Sequence, residues 1–140
     1  MVNVYSKIIA KLKVDSTVTA QVSTRVFGLE LPQTEANSMP RKCVVIKPTG
    51  GPARYGARDF VELTEVRIDV YNYGATGDQA LEVQRATHDA LKAISRDRQG
   101  DTLLHWAHQS SGPIWLRDPD GNWPLFLESW LVLASSTTAA

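Results

Sequence analysis

The stretch Val66-Arg67-Ile68-Asp69-Val70-Tyr71-Asn72-Tyr73-Gly74-Ala75-Thr76-Gly77-Asp78-Gln79 holds a strand, a break and a helix start. Val66, Ile68 and Val70 alternate with Arg67, Asp69 and Tyr71, the period of two that a half-buried strand shows. Thr76 and Gln79 have the spacing of a capping box, a hydroxyl at the N-cap and a Gln three positions on. The spacing predicts a helix from there to residue 95. Ala80, Val83, Thr87, Ala90, Leu91 and Ile94 form a narrow stripe of small residues on it, suited to close packing on a sheet.

Upstream, the strand extends back to residue 60. Val61 and Leu63 are out of phase with Val66, which predicts a bulge near Thr64-Glu65. Before it lies Thr49-Gly50-Gly51-Pro52-Ala53-Arg54-Tyr55-Gly56-Ala57-Arg58-Asp59, with three glycines and two arginines, which reads as a long mobile loop. Cys43-Val44-Val45-Ile46-Lys47 is a β-branched apolar run expected to be a strand that stops at Pro48. Residues 28–40 contain two prolines and an Asn/Ser/Thr-rich middle, and read as loop. Arg25-Val26-Phe27 reads as a short strand. Residues 3–13 read as an amphipathic helix with Val4, Ile8 and Leu12 on one face. Asp15 is the expected N-cap of a second helix over 16–22.

Downstream, Gly100 marks a stop. Strands are expected over 102–109, 113–117 and 124–134. Asp118-Pro119-Asp120-Gly121-Asn122 is the turn before the last, with Asp-Gly supplying a positive φ. Strands cluster rather than alternate strictly with helices. The expected class is α+β, a mainly antiparallel sheet with helices packed on one face, in a single domain over residues 1–134. Residues 135–140 read as a frayed tail.

The last strand carries a further message. Leu125, Leu127, Leu131 and Leu133 line one face; Phe126, Trp130 and Val132 line the other, with Glu128 among them. A sheet wetted on one side would place polar residues on the second face. Phe126, Trp130 and Val132 are therefore candidates for a subunit interface, the alternative being a covering layer from the same chain.

Composition removes several function classes. The chain has 140 residues, a formal net charge of zero, one cysteine and four tryptophans, with 43% hydrophobic and 21% charged residues. One cysteine makes no internal disulfide, which excludes a disulfide-framed scaffold. Zero net charge argues against a dedicated nucleic-acid binder. No apolar run follows a basic segment at the N-terminus, and none approaches the ~20 residues of a membrane helix. The expectation is a soluble protein made in a cytoplasm, with no membrane partner. The charge is unevenly spread. Residues 1–50 hold seven Lys/Arg against three Asp/Glu, whereas residues 101–140 hold one against four. Such ends can supply different patches for a head-to-tail contact.

Motifs for chemistry fall short one by one. The 49–59 loop lacks the Lys-Ser/Thr of a phosphate-binding loop; Ala57-Arg58 follows Gly56. His105 and His108 are an odd number apart on an expected strand, so they should face opposite ways, and no further ligands complete a zinc set. His88 lies mid-helix. Cys43 sits in an expected buried strand, where a thiol is inert. Ser110-Ser111-Gly112 is no nucleophile elbow. Asp118 and Asp120 start a calcium-loop pattern that fails at Gly121 and Ser129. Glu62 and Glu65 are paired only in sequence. The reading expects no catalytic residue, no cofactor and no metal.

Several segments nevertheless form a recognisable series: Leu12-Lys13-Val14-Asp15-Ser16-Thr17-Val18-Thr19-Ala20, Thr24-Arg25-Val26-Phe27, Pro40-Arg41-Lys42-Cys43-Val44-Val45-Ile46, Val66 to Tyr71, and the helix from Gln79 to Leu91. In this order they resemble the tail terminator, or tail completion, proteins of long-tailed bacteriophages and phage-derived gene transfer particles. The similarity spans residues 5–95 by pattern and 100–134 by strand character. The chain departs from the family at Gly28-Leu29-Glu30-Leu31-Pro32 and in the longer 100–123 segment. The resemblance implies an α+β subunit of a hexameric ring at the tail-neck junction of a virion, assembled in a bacterial cytoplasm. Such a ring binds copies of itself, caps the tail tube protein, ends tail polymerisation, meets the head completion or neck protein and passes DNA through its lumen. Within that frame Arg54, Tyr55 and Arg58 of the 49–59 loop are candidate partner- or lumen-facing contacts. A head-tail joining (stopper) protein of the neck, an unrelated homo-oligomeric binding module and a small hydrolase using His105 or His108 are the alternatives.

Overall fold

The computed structural model describes residues 4–50 and 63–136. Helix α1 (Val4–Val14) buries Val4, Ile8 and Leu12, the apolar set spaced by one helical turn. Helix α2 (Ser16–Val22) starts at Asp15, whose Oδ1 accepts the N–H groups of Thr17 at 2.9 Å and Val18 at 3.0 Å. Strand β1 (Val26–Gly28), the short helix α3 (Gln33–Ala36), strands β2 (Cys43–Gly50) and β3 (Leu63–Tyr73), and helix α4 (Gly77–Lys92) follow. Strands β4 (Ser95–Gln99), β5 (Thr102–Arg117) and β6 (Pro124–Ser136) complete the chain.

All strands join one sheet in the order β1-β2-β3-β6-β5-β4. Only β1 and β2 are parallel; every other pair is antiparallel. The α+β class and the mainly antiparallel sheet are therefore as expected. Val44 and Ile46 of β2, Ile68 and Val70 of β3, and Trp130, Val132 and Ala134 of β6 share one core with the buried faces of α1, α2 and α4. A smaller cluster on the opposite face joins Cys43, Val45, Tyr73 and Leu125 to Leu31, Met39 and Trp123. The connection around α3 covers that corner. It is anchored by buried Glu35, whose Oε1 accepts from Arg41 Nε at 2.7 Å; this hydrogen bond holds the Glu35 carboxyl below the ordinary range.

Several boundaries differ from the sequence expectation. Strand β2 continues through Pro48 to Gly50. β1 pairs only as far as Ile46, so from Lys47 onward β2 is an edge, where proline is tolerated. No bulge occurs at Thr64-Glu65: β3 and β6 stay in unbroken register from Leu63↔Ser135 to Tyr73↔Leu125. Thr64 and Glu65 are both buried, so both faces are covered there and apolar alternation is not demanded. Val61 lies outside the described residues. The bulges fall instead at Pro48/Gly50 in β2 and at Leu104/Trp106, Gln109/Ser111 and Ser111/Ile114 in β5. They let the two strands expected over 102–109 and 113–117 run as one.

The α4 start is as expected: the Thr76 hydroxyl accepts the Gln79 N–H at 3.2 Å, and Gln79 Oε1 reaches back to the Ala75 N–H at 3.0 Å. The helix ends at Lys92, and Ser95–Gln99 forms the edge strand β4. Its polar side chains carry no alternating apolar signal. Gly100, at φ +62°, begins the two-residue turn into β5, a position that glycine fills without strain. At the β5–β6 turn the positive φ belongs to Asn122, not Gly121. Gly121 is required for another reason: a Cβ there would sit 2.3 Å from the Trp123 ring. Ser135 and Ser136 belong to β6 rather than to a tail, and residues 137–140 lie outside the described set.

Candidate functional site

The groups with chemical potential are scattered. Cys43 is fully buried, and burial pushes its thiol up to about 12, so it stays protonated at neutral pH. His105 and His108 do share a face, contrary to the expectation from their odd spacing. The bulge at Leu104/Trp106 shifts the phase of β5 by one residue. Leu104 and Ala107 therefore both enter the core, while Trp106 and His108 pair with Leu133 and Leu131 on the opposite face. His105 Nε2 lies 2.8 Å from Ser135 Oγ, and the Trp106 and His108 rings stack at 4.3 Å. Among the described residues no group of three or more His, Cys, Asp or Glu could hold a metal.

The most concentrated polar cluster lies under α4. Glu128 of β6 is fully buried. Gln84 Nε2 donates to it at 2.8 Å and Gln109 Nε2 at 3.3 Å, while the Thr87 hydroxyl lies 3.1 Å from Glu128 and 2.8 Å from Asn72 Oδ1. Burial raises the Glu128 carboxyl above the ordinary range, opposed by Gln84, Trp130 and Thr87 and by the neighbouring His88, whose Nδ1 is 3.9 Å away. Above this network opens a cleft of about 350 Å³ lined by Gln84, Arg85, His88, Asp89, Gln109 and Pro113. The network ties α4, β3, β5 and β6 together at one point. Sequence reasoning noted Glu128 as the odd polar residue of its face but had no means of finding its partners, which lie 19 to 44 positions away.

Two of the three candidates for a subunit interface are enclosed by their own chain. Trp130 is 1% exposed and Val132 is fully buried, both within the core beneath the helices of the same chain. The covering layer is thus intramolecular, supplied chiefly by α4. Phe126 is half-buried against Trp115, ring centroids 5.3 Å apart. Arg54, Tyr55 and Arg58 lie outside the described residues. The charge asymmetry is partly satisfied within the subunit: Lys7 meets Asp101 at 3.4 Å and Lys11 meets Asp97 at 3.1 Å. Front and back of the sequence are neighbours in space, which sequence halves do not reveal.

What stays uncovered is the outer half of β5. Every residue from 110 to 117 is exposed; Pro113 borders the cleft beside α4, and the Trp115 ring lies next to Gly77 at the start of that helix. Ile114 is 48% exposed, Trp115 47% and Leu116 39%. With β6 these residues form a twisted arm ending at the Asp118 turn, where Asp118 Oδ1 accepts the N–H groups of Asp120 and Gly121 at 2.9 Å each. Among the described residues no helix is long and apolar enough to cross a membrane.

No family model matches the sequence, and no curated protein matches it. Solved structures do. One chain in a structure described as the virion of a native gene transfer agent (GTA) particle aligns with a TM-score of 0.62 at 15% identity, covering 94% of this chain and 94% of that one. The likeness is one of fold, across nearly the whole length of both.

Proposed function

We propose that this protein is a structural virion component, a subunit of a ring that caps the tail tube, ends its polymerisation and presents a surface to the neck. The observation that carries this reading is the end-to-end match of fold with a chain of a gene transfer agent virion. The order of segments that resembles tail terminators supports it, since that resemblance rests on sequence and the fold match rests on coordinates. Capping requires no bond to be made or broken. It requires a rigid body and surfaces that fit other copies and other proteins. The tight core and the exposed β5–β6 arm provide those two properties. In this reading Arg54, Tyr55 and Arg58 face a partner or the lumen, and DNA passes through as cargo.

The test is a tube-growth assay. Purified protein added to polymerising tail tube subunits is expected to stop elongation and to be found at tube ends by electron microscopy. Tubes that lengthen unchanged, with no density at their ends, contradict the capping role. Binding to neck protein alone, with no effect on tubes, assigns the chain to head-tail joining instead.

A further inference from the structure

Two unfavourable features coincide at Leu29. Its apolar side chain is 57% exposed, and its φ is +69°, in the left-handed region that bulky residues rarely enter. The conformation is held in place. The Leu29 N–H donates to the Ile46 carbonyl at 2.9 Å, and the Glu30 N–H donates to the Gly28 carbonyl at 2.8 Å. The neighbouring glycine is committed elsewhere, because a Cβ on Gly28 would lie 2.1 Å from the Tyr5 hydroxyl. Outliers that the surrounding structure enforces concentrate where a residue is presented to a partner.

Leu29 follows β1, the strand at one edge of the sheet. The opposite edge is the outer half of β5, since β4 pairs with β5 only as far as Trp106. There an exposed apolar trio flanks the edge, Ile114 and Leu116 on one face of the strand and Trp115 on the other. The trio is firmly built. It pairs with β6 from Ile114↔Leu127 to Leu116↔Leu125, and the Trp115 ring lies where a Cβ on Gly77 would meet it at 3.1 Å. Among the described residues these positions hold four of the five exposed large hydrophobics, Val14 being the other.

A single acidic residue stands beside the first patch, and a single basic residue, followed in the chain by Asp118, stands beside the second. Exposed Glu30 adjoins Leu29, whereas exposed Arg117 adjoins Leu116. Arg117 is steered toward the trio: its guanidinium lies 5.7 Å from the Trp115 ring centre and donates to the Asn122 carbonyl at 3.0 Å. Pairing of main chains at this edge is blunted by Pro113 and by the bulges at Gln109/Ser111 and Ser111/Ile114, so the contact is one of side chains.

We propose that Leu29 and Glu30 of one copy dock on Ile114, Trp115, Leu116 and Arg117 of a second copy. Two different patches on opposite edges make a heterologous contact, and such a contact repeated by rotation closes a ring. The inference rests on the ring reading and names its contact residues.

Native mass spectrometry of the full chain provides the test. Wild type is expected to give a closed oligomer. Leu29→Gly and Leu116→Ser are each expected to weaken it by about tenfold or more in subunit affinity, the scale of an interface anchor. Leu29→Gly should at the same time raise the melting temperature of the subunit, which separates lost contact from lost folding. Glu30→Arg and Arg117→Glu should each weaken assembly, and the two together should restore it. Leu29→Cys combined with Ile114→Cys should form disulfides between copies on oxidation, with buried Cys43 silent. A wild-type oligomer that all these variants leave intact overturns this contact and spares the ring. A wild-type chain that stays monomeric overturns both. Variants that form normal rings but fail to join tail tubes assign the two patches to another virion protein, and also overturn the proposal.

Discussion

Trp115 and Trp130 face the same side of the sheet, yet one is 47% exposed and the other 1%. Trp115 pairs across from Phe126, which lies two residues from Glu128 and four from Trp130 on the same strand face. What separates them is the roof. Helix α4 lies over Trp130 and packs it into the main core. Trp115 lies instead beside Gly77, the first residue of α4. Strand β5 shows the same division along its length: Leu104 and Ala107 are buried, whereas every residue from 110 to 117 is exposed. Apolar residues on a strand therefore do not report burial by themselves. Burial depends on where the neighbouring helix stops, and the residues past that point stay exposed.

The largest effect that separates the two regions comes from truncating each tryptophan. Trp130→Ala is expected to destabilise the fold by about 3–5 kcal/mol, the cost of a large cavity in a core. Trp115→Ala is expected to lose about 1 kcal/mol, chiefly its ring contact with Phe126. Urea unfolding of both variants measures the difference. Equal losses would mean that the arm is as integral to the fold as the core.

The next effect concerns the helix that forms the roof. Thr76→Ala removes the side-chain acceptor at the start of α4 and should cost about 1 kcal/mol. Because α4 covers Trp130 and not the arm, hydrogen exchange should rise in β6 around Trp130 while Ile114–Arg117 changes little. A uniform rise would contradict the division. Leu29→Gly acts in the other direction. Relief of a left-handed leucine should stabilise the subunit by about 1 kcal/mol, read as a higher urea midpoint at a protein concentration where the chain is monomeric. A lower midpoint would show that the exposed leucine contributes to the fold.

The smallest effect is a pH dependence at Glu128. Its folded pKa is raised by burial, so the folded state holds this proton more tightly than the unfolded chain does. Below the ordinary carboxylate range, about 4.3, the group is protonated in both states and contributes no difference. As pH rises from there through the folded value, stability is lost, and above it the loss is constant. Glu128→Gln should therefore gain on wild type as pH rises from 4 toward 7, measured by urea midpoints at each pH. A gap that is constant or shrinks with rising pH would show that Gln84, Trp130 and Thr87 outweigh burial.

Much of the architecture was legible because it is local. The Asp15 cap, the Val4/Ile8/Leu12 stripe, the Thr76 start and the alternation from Val66 to Val70 each depend on residues a few positions apart. What was not legible depends on contacts distant in sequence. The β5 bulges reverse the facing of His108 and join two expected strands, and nothing in Gln109-Ser110-Ser111-Gly112-Pro113 distinguishes a bulged strand from a break. β4 escaped notice because an exposed edge strand needs no apolar residues. Trp130 and Val132, expected with Phe126 at an interface, lie under α4 for a similar reason: two apolar faces on one strand require two covers, and the strand cannot say which cover is its own chain. The exposed trio at Ile114–Leu116 had the same apolar signature as the core and only the fold tells them apart.

The proposed capping ring can be seen by negative-stain electron microscopy of the purified full chain. Class averages are expected to show closed rings with a central hole wide enough for duplex DNA, about 20 Å or more, roughly twice the width of an α-helix with its side chains. A field of single small globules at every concentration, with no ring at the ends of added tubes, would contradict it.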